Sequence, residues 1–199
     1  MVAHVATVAF DGIEAKAIDV QVQILAGMPA FTVVGLPDKA VAESRERVRS
    51  AIHALGLSLP LKRIIVNLAP ADILKEGSHY DLPIALAVLI SMGVLEEEDV
   101  SNYTALGELS LDGGLLGVSG ALPAAMLALA QGNGLICPKI CGSEAAWSGL
   151  GDIIAAPSLP ALINHFKGTQ ILQQPERGTE ILQPRGRDMR EIRGQQSAR

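Results

Sequence analysis

Lys75 to Leu89 reads KEGSHYDLPIALAVL, a polar loop that runs straight into an apolar helix. Pro83 falls in the tolerant first turn of that helix, and Asp81 stands where a side-chain cap is expected. The loop crowds together Lys75, Ser78, His79 and Asp81, residue types that can make a nucleophile and its base. Side chains adjacent in sequence generally diverge, however, so Ser78, His79 and Asp81 are not a preassembled triad. A serine–lysine dyad is the more serious reading, because a lysine desolvated beside a serine can activate it. That reading meets an obstacle: no Lys or Arg occurs from Glu76 through Pro138. Lys75 remains, and its ordinary role is a solvated or anion-facing side chain.

Working outward, IDVQVQIL places Ile18, Val20, Val22 and Ile24 on one face and Asp19, Gln21 and Gln23 on the other, the period of a half-buried strand. FTVVGL is a second strand, and Gly35-Leu36-Pro37-Asp38 supplies the turn and cap that start a helix over 39–55. Val41, Ser44, Val48, Ala51, Ile52 and Leu55 form that helix's apolar stripe. Arg45 and Arg49 flank the stripe one turn apart, and Arg47 lies on its other flank. RIIVNLAP is a buried strand, residues 96–99 a solvated acidic turn, and YTALGELSLDGGLLGV a hairpin closed by Asp112-Gly113-Gly114. ALPAAMLALA is a helix, NGLICP and GDIIAAP are strands, and Ser158 caps a last helix in SLPALINHF. Alternating strands and helices predict an α/β fold of one domain with a mixed sheet over residues 1–167. Residues 168–199, rich in Gln, Arg, Gly and Pro, read as a linker or the start of a further domain.

The 199 residues are 49% hydrophobic but only 3% aromatic, so aliphatic residues and alanine must fill the core. No apolar run suits a bilayer span or a leader, which leads to an expectation of a soluble, cytoplasmic protein with no membrane partner. Cys137 and Cys141 lack the further ligands a structural zinc needs, and no metal or cofactor site is expected. Net charge is −5 but uneven. Residues 1–75 hold eight Lys/Arg against seven Asp/Glu, residues 76–175 hold two against ten, and residues 176–199 hold six against four. A polyanion would meet the first segment or the tail.

The opening loop, ALGELSLDGGLLGVSGALPAAMLA and the strand ending in ICP together resemble the proteolytic domain of Lon proteases along residues 75–138. The resemblance places the family's catalytic serine on His79 and its catalytic lysine on Leu122, so both members of the dyad are absent. FTVVGLPDKAVAESRERVRSAI (31–52), LAPADILKEGSHYDLPIALAVL (68–89) and DMREIRGQQSAR (188–199) are similar to the ComM/YifB family of magnesium-chelatase-like AAA+ ATPases. That resemblance implies an amino-terminal, Lon-like (ribosomal S5 domain 2-like) domain of a larger hexameric DNA motor that promotes branch migration in natural transformation. It also implies ATP and magnesium elsewhere in that motor, since no G-x-x-x-x-G-K-[ST] occurs among these residues. The expected partners are single-stranded or branched DNA and further copies of the chain in a ring.

The candidate DNA-contacting residues are Lys39, Arg45, Arg49, Arg63 and Lys75, because cations neutralise phosphates without reading sequence. Against this stand Glu43 and Glu46, interspersed on the helix, with Arg47 able to pair with Glu43 as ordinary surface charge. His79 reads as a packing or interface residue, and Gly35, Gly77, Gly113 and Gly114 as turn residues. Two other functions compete with the DNA role: an adaptor that grips a partner protein, and a Lon-like peptidase resting on Ser78.

Overall fold

The structure, a computed structural model, describes residues 2–35 and 38–178, with backbone only at residues 38, 39 and 41. The segment 188–199 that carries part of the family resemblance lies outside the described residues. Among the described residues nine strands and six helices follow one another as β1 (Val2–Asp11), β2 (Glu14–Leu25), β3 (Ala30–Val34), α1 (Asp38–Ala54), β4 (Arg63–Ala69), α2 (Asp81–Ser91), α3 (Glu97–Val100), β5 (Tyr103–Ala105), β6 (Glu108–Leu109), β7 (Leu115–Leu116), α4 (Ala121–Gln131), β8 (Gly134–Pro138), α5 (Gly142–Ala145), β9 (Ile153–Ala156) and α6 (Leu159–Phe166). Short 3-10 turns at 139–141 and 146–148 flank α5. Seven strands form one mixed sheet in the order β3-β4-β2-β1-β5-β8-β9. β1 and β2 form a long antiparallel hairpin, β2 also pairs antiparallel with β4, and the other pairings within this sheet are parallel.

Alternation along the strands sorts side chains to two cores on opposite faces. Ile136, Ile154 and Ala156 join the larger core with α1, α2 and α6, while Leu135, Cys137, Ile153 and Ala155 join the smaller one with α4 and α5. α2 is the centre of the larger core: every residue from Leu82 to Ile90 is buried, so the helix is apolar all round. Each fully buried Leu or Ile there contributes about 1.5–3 kcal/mol from leaving water. The second face of the sheet carries polar side chains where β4, β2 and β1 run side by side. There a polar ladder joins the strands: His4 to Asp19 at 2.9 Å, Gln21 donating to Asp19 at 2.9 Å, and Asn67 donating to Gln21 at 3.0 Å.

Several local expectations differ from the structure. The acidic residues 96–99 belong partly to the short helix α3, where Glu97 accepts the His4 amide at 3.2 Å. Tyr103–Ala105 is a strand of the main sheet, and the hairpin is only β6–β7, closed by residues 110–114. Residues 170–178 do not stand free of the domain. Gln174 donates to the Gly151 carbonyl, Arg177 donates to the Ala146 carbonyl at 3.2 Å, and a Cβ at Gly142 would meet Pro175 at 2.8 Å. Among the described residues no helix is long and apolar enough to cross a membrane.

Candidate functional site

The loop between β4 and α2 is closed on itself. Lys75 is 2% exposed while its neighbour Leu74 is 72% exposed, the inverse of what the two residue types favour in isolation. Its ammonium donates to the carbonyls of Pro70 and Ile73, the latter at 2.8 Å, satisfying loop acceptors that no strand pairs. Burial lowers the Lys75 pKa. Lys75 is thereby withdrawn from the solvent-facing cations expected from the sequence.

The serine is equally committed. Ser78 donates its hydroxyl to Glu108 on β6, so neither Ser78 nor Lys75 offers the other a serine–lysine dyad. His79 is 5% exposed, its Nε2 2.9 Å from the Val8 carbonyl, with its ring 4.1 Å from Tyr80 and 5.2 Å from Phe10. Burial depresses its pKa, against the opposing pull of the Val8 carbonyl, which favours the neutral imidazole of a packing residue. Leu122 lies in the first turn of α4, its amide donating to Glu144 at 3.0 Å. Phe10 lies against the His79 ring and also against Gly120, two residues before Leu122. Gly120 has φ +91°, and a Cβ there would meet the Phe10 ring at 2.5 Å.

Asp81 does not cap α2 as expected; it is the first residue of the helix, and its carboxylate turns sideways. Arg47 on α1 grips it twice, Nε to Oδ2 at 2.5 Å and Nη2 to Oδ1 at 3.2 Å, and the Leu109 amide adds a third donor at 3.2 Å. Burial pushes the Asp81 carboxyl upward against these donors, while the pairing raises the Arg47 guanidinium further above its ordinary value. Arg47 also lies 3.9 Å from Glu43, the surface partner expected from spacing, but its main partner is 34 residues away and fully buried. This bidentate pair ties α1 to α2 and to the β6 hairpin, which fixes how the rest of α1 faces outward.

On the solvent side of α1 a groove of about 860 Å³ opens between the helix, the start of β3 and the segment 57–62. Among the described residues Arg45, Arg49, His53 and Lys62 line it, with Glu46 the one acid. Arg45 and Glu46 are 3.4 Å apart, both side chains substantially exposed, a contact of small energetic weight. Phe31, Leu57, Leu59, Pro60, Leu61 and Leu111 supply the apolar part of the lining.

The five expected cations are therefore dispersed. Arg45 and Arg49 share the groove. Arg63 is exposed at the start of β4, but its neighbour Ile64 faces α1, so strand alternation sends Arg63 to the opposite face of the sheet. Lys75 is buried, and the Lys39 side chain lies outside the described residues. His53 and Lys62 were missed. His53 continues the helical row of Arg45 and Arg49 at the same four-residue step, a signal the sequence carries; Lys62 reaches the groove only through the tertiary packing of segment 57–62.

Among the described residues no three His, Cys, Asp or Glu side chains converge as a metal site. Cys137 and Cys141 are buried in the smaller core, and burial pushes Cys137 up to about 12.

A family model described as subunit ChlI of Mg-chelatase matches residues 20–140. The uncharacterized protein YifB of Escherichia coli K12 is 37% identical over 188 residues, which cover 94% of this chain and 37% of that protein. Competence protein ComM of Haemophilus influenzae Rd is 35% identical over 196 residues, covering 94% of this chain and 38% of its own length. An uncharacterized protein of Mycobacterium tuberculosis H37Rv is 34% identical over 194 residues, 97% of this chain and 39% of its own length. The chain thus spans a little over a third of the length of the curated relatives it matches. With the match extending from β2 to β8 across the groove and the closed loop alike, the chain belongs to the magnesium-chelatase ChlI family of AAA+ ATPases, within its ComM/YifB branch.

Proposed function

We propose that this domain is a non-catalytic assembly and DNA-contacting part of a ComM-type AAA+ DNA helicase, a hexameric motor that promotes branch migration in natural transformation and recombination. The observation that carries the reading is the groove beside α1, where Arg45, Arg49 and Lys62 gather, with Glu46 the one acid among the described lining residues. Cations lining a groove suit a sequence-independent phosphate contact, which a motor running over any DNA requires. ATP hydrolysis, with its magnesium, belongs in this reading to the remainder of the motor. The closed loop supports the absence of peptidase chemistry, because Ser78 and Lys75 are each engaged elsewhere. In a ring, six weak grooves act together and reach an affinity that one copy lacks.

Fluorescence anisotropy of labelled single-stranded, duplex and forked DNA across a salt series, with mass determined by light scattering in the same buffers, tests this. Binding that appears with a ring and weakens steeply with salt, by a log–log slope of about 0.9 per phosphate contact on duplex, supports it. A ring that ignores DNA at low salt sinks the DNA role and leaves assembly alone.

A further inference from the structure

The groove beside α1 has a feature that contact with a duplex backbone leaves unused. Its rim carries Leu61, 85% exposed, and Leu111, 61% exposed, and Phe31 and Leu59 lie deeper in the same lining. A duplex turns its phosphates outward and keeps its bases stacked inside, so it would neutralise the arginines and leave the leucines in water. An unpaired strand presents both a charged backbone and flat, apolar base faces. Arg45, Arg49 and His53 recur along α1 at steps of about 6 Å, a repeat that successive phosphates of one strand can follow.

Resting on the DNA reading of the same groove, we propose that it is a site for unpaired nucleic acid, with phosphates on Arg45, Arg49 and Lys62 and bases against Leu59, Leu61 and Phe31. Phe and Leu side chains meet base faces elsewhere as wedges between base steps, and an unpaired strand exposes those faces without the cost of unstacking a duplex. On forked DNA the groove then holds the separated strand and not the duplex arm.

Anisotropy with an oligothymidylate and a duplex of equal length, for the chain as it stands and for Leu61→Ser, tests the assignment, with poly-glutamate as competitor. The single strand is expected to bind about 10-fold more tightly than the duplex at the same salt, equivalent to about 1.4 kcal/mol. Leu61→Ser, at an exposed position, is expected to lower single-strand affinity about 5-fold or more while leaving its salt slope unchanged. Equal affinities for single strand and duplex, or a Leu61→Ser loss shared equally by both, overturn the inference and leave DNA contact standing. Displacement of the oligonucleotide by poly-glutamate at matched charge overturns it too, because the groove then takes any extended acidic chain. No binding to either DNA overturns this inference together with the DNA reading on which it rests.

Discussion

Helix α1 and the loop ahead of α2 bear similar cationic side chains and dispose of them in opposite ways. Arg45 and Arg49 line an open groove, whereas Lys75 is 2% exposed and spends its protons on two loop carbonyls. The difference arises from the backbone. α1 satisfies its own peptide groups and leaves its side chains for other work, while an irregular loop against the core has orphan acceptors that a buried cation can serve. Arg47 shows that the two regions are joined, since it leaves the α1 surface to hold Asp81 at the start of α2. A cation's contribution to a patch therefore depends on what the adjoining backbone lacks, as much as on the charge of the segment.

The contrast is broken most severely at that joint. Asp81→Ala leaves Arg47 without its buried partner and is expected to cost about 3–5 kcal/mol in urea unfolding; a loss under about 1 kcal/mol would mean that the pair does not organise α1. Gly120→Ala forces a Cβ into Phe10 at a left-handed backbone position, with an expected cost of about 1–3 kcal/mol from overpacking alone. Unchanged stability in the same assay would show that the space between His79 and α4 is open rather than filled. Lys75→Met strips the Pro70 and Ile73 carbonyls of their donor, an expected cost of about 1–3 kcal/mol, while DNA binding in the stable fraction stays as it was.

His79 sharpens the comparison through pH. Burial holds its folded pKa below the ordinary 6.5, so the unfolded chain takes up a proton that the folded chain refuses. Its stabilising contribution is complete above pH 6.5 and is lost as pH falls from there toward the folded value. His79→Gln keeps a donor for the Val8 carbonyl and is expected to flatten stability between pH 7.5 and 5.5; an undiminished slope would assign the pH dependence to other groups.

Much of the fold was legible because its signals are local. The alternation of Ile18, Val20 and Val22 marked β2, the stripe through Val48 and Ile52 marked α1, and Ser158 accepts the Ala161 amide as an N-cap should. Asp81 was misread because its neighbours in sequence suggest a cap, whereas its partners Arg47 and Leu109 arrive from 34 and 28 residues away. The strap at 170–178 escaped for a similar reason: a Gln- and Pro-rich composition describes a linker equally well whether or not Gln174 and Arg177 find carbonyls to hold. Of the site, the arginine row on α1 was readable from helical spacing, but the wall bearing Lys62 and Leu61 exists only once β3 and β4 are side by side.

The measurement that tests the central claim most directly is the salt slope of DNA binding for the chain, for Arg45→Gln/Arg49→Gln and for Lys75→Met. If the α1 groove meets the backbone, the double arginine variant loses about 1.4 from the log–log slope on a single strand, two contacts at about 0.7 each, and the lysine variant loses nothing. An unchanged slope in the arginine variant, or an equal loss in the lysine variant, would contradict the assignment of DNA contact to the groove.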